Sequence, residues 1–170
     1  MSIVGRQAPD FTAHAVSKDG AILQTFNLAE AIKDKYAILM FYPANFTMLS
    51  ASELIMLDGY AAELKERNIE VEIIAISIDT AYSHQTWRNM LIDDSGNYIG
   101  PVKFTMIGDL NHEVVKAYDV ESPIGVSYRA TFLIDKTGIV RHQSVNDLAL
   151  TRKKDQFSLI FDMMVEVFGA

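Results

Sequence analysis

The sequence contains no cysteine, which excludes disulfides and thiolate metal sites in this chain. It has no apolar run long enough to cross a bilayer, and its opening residues, MSIVGRQAPDF, lack the basic start and apolar core of a signal peptide. These absences set the expectation of a cytoplasmic protein with no membrane partner. Positive charge is scarce: 15 Lys and Arg stand against 22 Asp and Glu, a formal net charge of −7. Nucleic acid is therefore a poor candidate partner, because binding its backbone takes a broad basic surface. The one basic cluster, in TRKKDQ (Thr151–Gln156), reads as the solvated start of a helix. No repeat, low-complexity tract or linker rich in Pro, Gly or Ser divides the chain. Its 170 residues are thus expected to form a single domain, 1–170, with a sizeable core.

What is present is periodicity. YAILMFYP (Tyr36–Pro43) is a nearly continuous apolar run, the pattern of a strand buried on both faces. VEIIAISID (Val71–Asp79) is a second, enriched in β-branched residues. Between them Leu54, Leu57, Ala61 and Leu64 share one helical face, and the charged stretch KERN follows. Strand, helix and strand in that order predict a βαβ unit with parallel strands. FTMIGD and HEVVKAYDV repeat a strand and a short helix. RATFLID, the turn KTG and IVRHQSV predict a hairpin. In the last helix Phe157, Ile160, Phe161, Met164 and Phe168 form an apolar stripe. A βαβ half followed by a ββα half, with an N-terminal extension and an inserted strand and helix, points to an α/β protein of thioredoxin-like fold. Its central mixed β-sheet would be flanked by helices, unlike an all-parallel doubly wound fold.

The stretch FYPANFTMLSASEL (Phe41–Leu54) places Ser50 where a strand gives way to a helix. Ser50-Ala51-Ser52-Glu53 matches the capping box, in which a serine accepts from the third backbone N–H and the glutamate reaches back. A hydrolase would instead need a base and an oxyanion hole. His14, His84, His112 and His142 are available, but nothing in the sequence aims one at Ser50. The flanking glycines of the hydrolase elbow are also missing, since the local sequence is Leu-Ser-Ala.

A third reading rests on resemblance. Pro43-Ala-Asn-Phe-Thr47-Met-Leu-Ser50 resembles the peroxiredoxin (AhpC/TSA family) motif Pro-x-x-x-Thr-x-x-Cys, with Ser at the peroxidatic cysteine position. VGRQAPDFTAHAV, FYPANFT, SIDTAYSHQTW and GVSYRATFLID followed by RHQSVNDLAL resemble further family segments in the same order. The pattern is most similar to the typical two-cysteine subgroup, the alkyl hydroperoxide reductase and thioredoxin peroxidase type. This resemblance implies a thiol peroxidase of antioxidant defence that reduces hydrogen peroxide and alkyl hydroperoxides. No cofactor or metal is implied, and a thioredoxin-like or flavoprotein reductant would recycle the cysteine form. Ser50 would hold the peroxidatic position at a helix N-terminus, where the dipole and the Arg129 guanidinium stabilise a thiolate. Thr47 would hydrogen-bond the peroxide and the attacking atom, and Pro43 would fix the turn and shield the site. Glu53 would orient Arg129, Trp87 would pack against the pocket, and His84 would be structural. Each also has a plain reading: Pro43 and Trp87 as turn and core, Arg129 as a surface residue at a strand start, Glu53 as a cap.

Three residues depart from that pattern: Ser50 itself, Asn45 where the family usually has Asp, and Ala51 where it usually has Pro. The sequence also ends at VEVFGA, without the C-terminal arm that carries the resolving cysteine. A serine hydroxyl ionises far above neutrality, so the chain is expected to be catalytically dead. Ser50 is either a replacement of cysteine that freezes the site, or the mark of a natural relative that has lost its chemistry. Asn45 and Ala51 favour the second origin. The persistence of Pro43, Thr47, Glu53 and Arg129 favours the first, to which the balance inclines. The resemblance further implies a homodimer formed by edge pairing of IVRHQSV, either alone or built with others into a decamer of five dimers. Phe46, Met48 and Tyr82 would then lie at the ring contact, or else pack in the core. The alternative function is non-enzymatic: a holdase chaperone, or a structural partner of an active relative.

Overall fold

Apolar strands buried on both faces need helices on both sides, and the computed structural model, which describes residues 1–91 and 96–169, meets that requirement. Strands β1 (Thr12–Val16) and β2 (Ile22–Asn27) form an N-terminal hairpin followed by a one-turn helix, α1 (Leu28–Ala31). Then come β3 (Tyr36–Phe41), α2 (Met48–Glu66) and β4 (Val71–Ser77), the βαβ unit expected from the sequence. Helix α3 (Ala81–Arg88), β5 (Thr105–Gly108) and α4 (Glu113–Ala117) follow. The chain closes with β6 (Arg129–Ile134), β7 (Val140–Asn146) and α5 (Asp155–Phe168).

The strands make one seven-stranded sheet in the order β2-β1-β5-β4-β3-β6-β7. β3 pairs parallel with β4, and β4 with β5; β6 pairs antiparallel with both β3 and β7. The fold is therefore α/β with a mixed sheet, thioredoxin-like as the order of elements predicts. The N-terminal extension adds its hairpin next to β5, with β1 antiparallel to it. Strand β7 lies at the sheet edge, where its outer backbone groups have no neighbouring strand.

Alternation along β3 divides the interior into two cores. Ile38 and Met40 point to one face and pack with Leu54, Leu57 and Leu64 of α2 and Phe157 and Phe161 of α5. Ala37, Leu39 and Phe41 point to the other, with Phe132 of β6, Val115 of α4 and Tyr118. Ala61 is partly buried and packs against the same core as Leu54, Leu57 and Leu64, on the helical face expected from the sequence. One expected apolar position needs correction. Phe168, at the end of the α5 stripe, is exposed, and the Arg141 guanidinium lies 4.0 Å from its ring centroid. That contact is a cation–π pair at the surface, so Phe168 contributes to the rim of the protein and not to its core.

Phe161 anchors α5. Its ring meets Tyr36 of β3 edge-on at 5.8 Å and Tyr60 of α2 at 6.3 Å, with no solvent exposure. Phe161→Ala is expected to lower stability by about 3–5 kcal/mol, read as a shift of the urea midpoint at unchanged slope.

Candidate active site

Strand β3 ends at Phe41, and the loop 42–47 carries the chain from the sheet to α2. Pro43 restricts its own φ at the start of the turn. Phe46 takes the left-handed backbone region, φ 62°, an uncommon conformation for a bulky residue. Thr47 returns to extended backbone and caps α2: its Oγ1 accepts from the Ser50 N–H at 3.3 Å, and its carbonyl accepts from the Ala51 N–H at 2.9 Å. The capping-box assignment of Ser50 is therefore corrected. The cap is Thr47, three residues earlier, and Ser50 lies inside the first turn with no solvent exposure.

Glu53 does not reach back to the helix start as a cap either. It is 1% exposed and points inward, between two guanidinium groups. Arg129, the first residue of β6, donates from Nη1 to Glu53 Oε2 at 2.9 Å and to Ser50 Oγ at 3.3 Å. Its Nε donates to the Leu148 carbonyl at 2.6 Å. Arg129 is thus no surface residue: β6 lies beside β3, so its first side chain falls under the start of α2. The second guanidinium belongs to Arg152. It donates to Glu53 from Nη2 at 2.6 Å, from Nε at 3.1 Å and from its backbone N–H at 2.7 Å. Its Nη1 donates to the Ala130 carbonyl at 2.7 Å.

Arg152 corrects the sequence reading of TRKKDQ as a solvated helix start. Lys153 and Lys154 are exposed, whereas Arg152 is 5% exposed and fully engaged. The sequence carries no signal for this, because one buried arginine beside two solvated lysines reads as a single charge run.

One carboxylate between two guanidiniums leaves a net positive charge beside the first turn of α2, where the helix dipole adds to it. Burial pushes the Glu53 carboxyl up, but the hydrogen bonds and charge of Arg152, with Arg129 behind them, outweigh it and hold it below its ordinary value. Burial also pushes Arg152 down, against the pull of Glu53, yet an arginine stays charged throughout the working range. Position 50 therefore sits in an electropositive, water-excluded hollow.

The other expected residues fall around it. Thr47 is exposed at the rim, and its hydroxyl also lies 3.4 Å from the Ala44 carbonyl. Trp87 is buried one layer below, its ring centroid 5.7 Å from Phe46 and 6.2 Å from Tyr42. It supports the loop without touching Ser50 through a hydrogen bond. Phe46, Met48 and Tyr82 are exposed by 41%, 61% and 62%, which removes core packing as an account of them. His84 is buried against Tyr42, Asn45 and Ile107. His14 is exposed on β1, His112 pairs with Glu121, and His142 lies on β7. Among the described residues no histidine hydrogen-bonds Ser50, so the hydrolase reading lacks its base. Among the described residues no group of three or more His, Asp or Glu is placed to hold a metal, and no helix is long and apolar enough to cross a membrane.

The fold is thioredoxin-like, and its candidate site is a buried residue in the first turn of the helix after β3, facing an arginine from β6. The chain belongs to the AhpC/TSA family, the peroxiredoxins, whose sequence profile matches residues 4–143. It is 41% identical to alkyl hydroperoxide reductase C of Buchnera aphidicola subsp. Baizongia pistaciae over 165 residues, 96% of this chain and 81% of that one. It is 34% identical to alkyl hydroperoxide reductase C of Helicobacter pylori over 163 residues, 96% of this chain and 80% of the relative. The crystal structure of reduced 2-Cys peroxiredoxin from Plasmodium vivax superposes with a TM-score of 0.88 at 37% identity, covering 99% of this chain and 86% of the other. The family is one of thiol-dependent peroxidases.

Glu53→Gln removes the carboxylate that bridges Arg129 and Arg152 and is expected to cost about 3–5 kcal/mol at neutral pH, the range for breaking a buried pair. The sign with pH follows from the lowered carboxyl. Its stabilisation is complete above the ordinary carboxylate range and is lost as pH falls through the folded-state value. Urea titrations should therefore show the gap between the native chain and the variant narrowing in acid. A gap of constant size would argue against the charge as its source.

Proposed function

We propose that this chain carries the hydroperoxide-binding site of a peroxiredoxin with oxygen where the chemistry needs sulfur, and that it does not turn over peroxide. The observation that carries the reading is the Ser50 hydroxyl, fully buried in the first turn of α2 and 3.3 Å from Arg129 Nη1. In the thiol form, the thiolate attacks one oxygen of ROOH. The S–O bond forms as the O–O bond breaks, sulfur is oxidised to a sulfenic acid, and the alkoxide leaves as ROH after taking a proton. Arg129 and the backbone N–H groups of the first turn stabilise the charge as it shifts between the oxygens, and Thr47 orients the substrate from the rim. Glu53, held by Arg152, keeps Arg129 in place.

Serine supports none of the steps after binding. The helix end contributes about 0.3–2 kcal/mol and a neighbouring guanidinium about one to three pKa units, together far short of what ionising an alcohol near neutrality requires. Pure protein freed of metal is expected to consume no hydrogen peroxide or alkyl hydroperoxide. Ser50→Cys is expected to give a thiol with a pKa at least about one unit below the ordinary ~8.5, read from the pH dependence of alkylation, and to consume peroxide stoichiometrically. Measurable turnover by the serine chain, or an unreactive thiol in the variant, counts against the reading. The recycling partner of the thiol form would be a thioredoxin-like or flavoprotein reductant. Assembly would run through the edge of β7 into a homodimer, and through the active-site loop into a decamer. The codon at position 50 in the source genome decides whether Ser50 is a replacement or a natural residue.

A second reading is favoured by the exposed apolar side chains Phe46, Met48, Leu49 and Ile55 on and before the first turns of α2, with Tyr82 exposed on α3. Such a surface suits a holdase or a structural partner of an active relative. A holdase lowers light scattering from a heat-denatured client at stoichiometric ratios. Scattering unchanged by the protein removes that role.

A further inference from the structure

The loop that delivers Thr47 and Ser50 hangs on one buried side chain. Asn45 is 5% exposed, and its hydrogen bonds tie the loop to α3 and to the turn after β4. Their directions can be worked out atom by atom. The Ile107 carbonyl on β5 can only accept, so His84 Nε2, 2.8 Å away, carries a proton. In a neutral ring Nδ1 is then an acceptor, and Asn45 Nδ2, at 2.9 Å, is the donor that meets it. Asn45 Nδ2 also donates to Ser83 Oγ at 3.1 Å, and Asn45 Oδ1 accepts from the Tyr42 hydroxyl at 2.7 Å. The backbone N–H of Asn45 donates to Asp79 Oδ2 at 2.9 Å, an oxygen that the Ser77 hydroxyl also bonds at 2.6 Å. Asn45 Oδ1 and the Tyr42 hydroxyl lie 3.1 and 3.2 Å from the same Nδ1. A neutral ring fits the whole set with Nε2–H donating and Nδ1 accepting, and among the described residues no carboxylate hydrogen-bonds the ring to hold a second proton.

From this geometry we propose that Asn45 is a positioning residue that clamps the loop entering α2 onto neutral His84, so that the placement of Thr47 and Ser50 is independent of pH through the histidine range.

The groups facing His84 are Tyr42 after β3, Asn45 in the loop and the Ile107 carbonyl of β5, with the Asp79 carboxylate after β4 as the charge acting on it. Burial pushes the imidazole down to about 4, against the opposing effects of the Ile107 carbonyl and Asp79. A carboxylate at position 45 has no proton to give Nδ1. It would be matched by an imidazolium, because moving the lone proton to Nδ1 forfeits the Ile107 bond. Asn45→Asp should therefore create the pH dependence that asparagine prevents.

The proposal concerns the same position 50 as the reading above. Its measurements use the Ser50 chain, so an unreactive Ser50→Cys thiol would sink that reading and leave this one standing. Long-range 1H–15N spectra of the histidines, recorded from roughly pH 5 to 8, are expected to show His84 as the Nε2–H tautomer with no titration. The Thr47 and Ser50 amide resonances should show no inflection in that window. In Asn45→Asp, His84 should titrate inside or above the window, and any His84 midpoint within it should also appear at those two amides. Titration of His84 in the unmodified chain, an Nδ1–H tautomer, or loop amides that ignore a titrating His84 in the variant would each overturn the proposal. Should Asn45→Asp fail to fold, Asn45→Ala serves instead. Loss of the clamp should speed amide exchange at Thr47 and Ser50 by about tenfold while the β3 amides stay protected, and unchanged exchange at those residues overturns the proposal.

Discussion

The Glu53 carboxylate, closed off from solvent between Arg129 and Arg152, is the interaction on which the site depends. A buried carboxylate alone would be unstable, and so would either guanidinium. Together they form a triad in which each charge meets an opposite one, and their geometry places the first residue of β6 against the first turn of α2. The triad also joins elements far apart in sequence. Glu53 comes from α2, Arg129 from β6 and Arg152 from the segment before α5, so the site forms only when all three have docked.

The charge balance gives the triad its chemical meaning. Two cations and one anion leave a positive surplus beside position 50, and the helix terminus adds to it. A neutral hydroxyl in that hollow accepts a hydrogen bond from Arg129 but makes no use of the field. A thiolate would be held by the same groups without further rearrangement. The surroundings thus suit an anion more closely than the residue that occupies them.

Much of the fold was legible because burial leaves a periodic trace. The apolar runs of β3 and β4, the α2 face and the β6–β7 hairpin all appear where periodicity puts them, and the element order implied the mixed sheet. Phe168 was misread because a surface ring stacked on Arg141 has the same spacing as a core ring. The capping-box alternative for Ser50 fails because that pattern is local, while Thr47 already satisfies the helix start. Arg152 was missed because its burial depends on a carboxylate ninety-nine positions away in sequence.

By itself, then, the sequence determined the elements, their order and the oxygen at position 50, since these depend on residue type and on neighbours within a few positions. Only the tertiary structure decided which charges meet: that Arg129 faces Ser50, that Arg152 completes the triad, and that Asn45 and His84 share a hydrogen bond. Such partners are chosen by the packing of distant segments in a medium where an unpaired charge or polar group is costly, and local sequence carries no record of that choice.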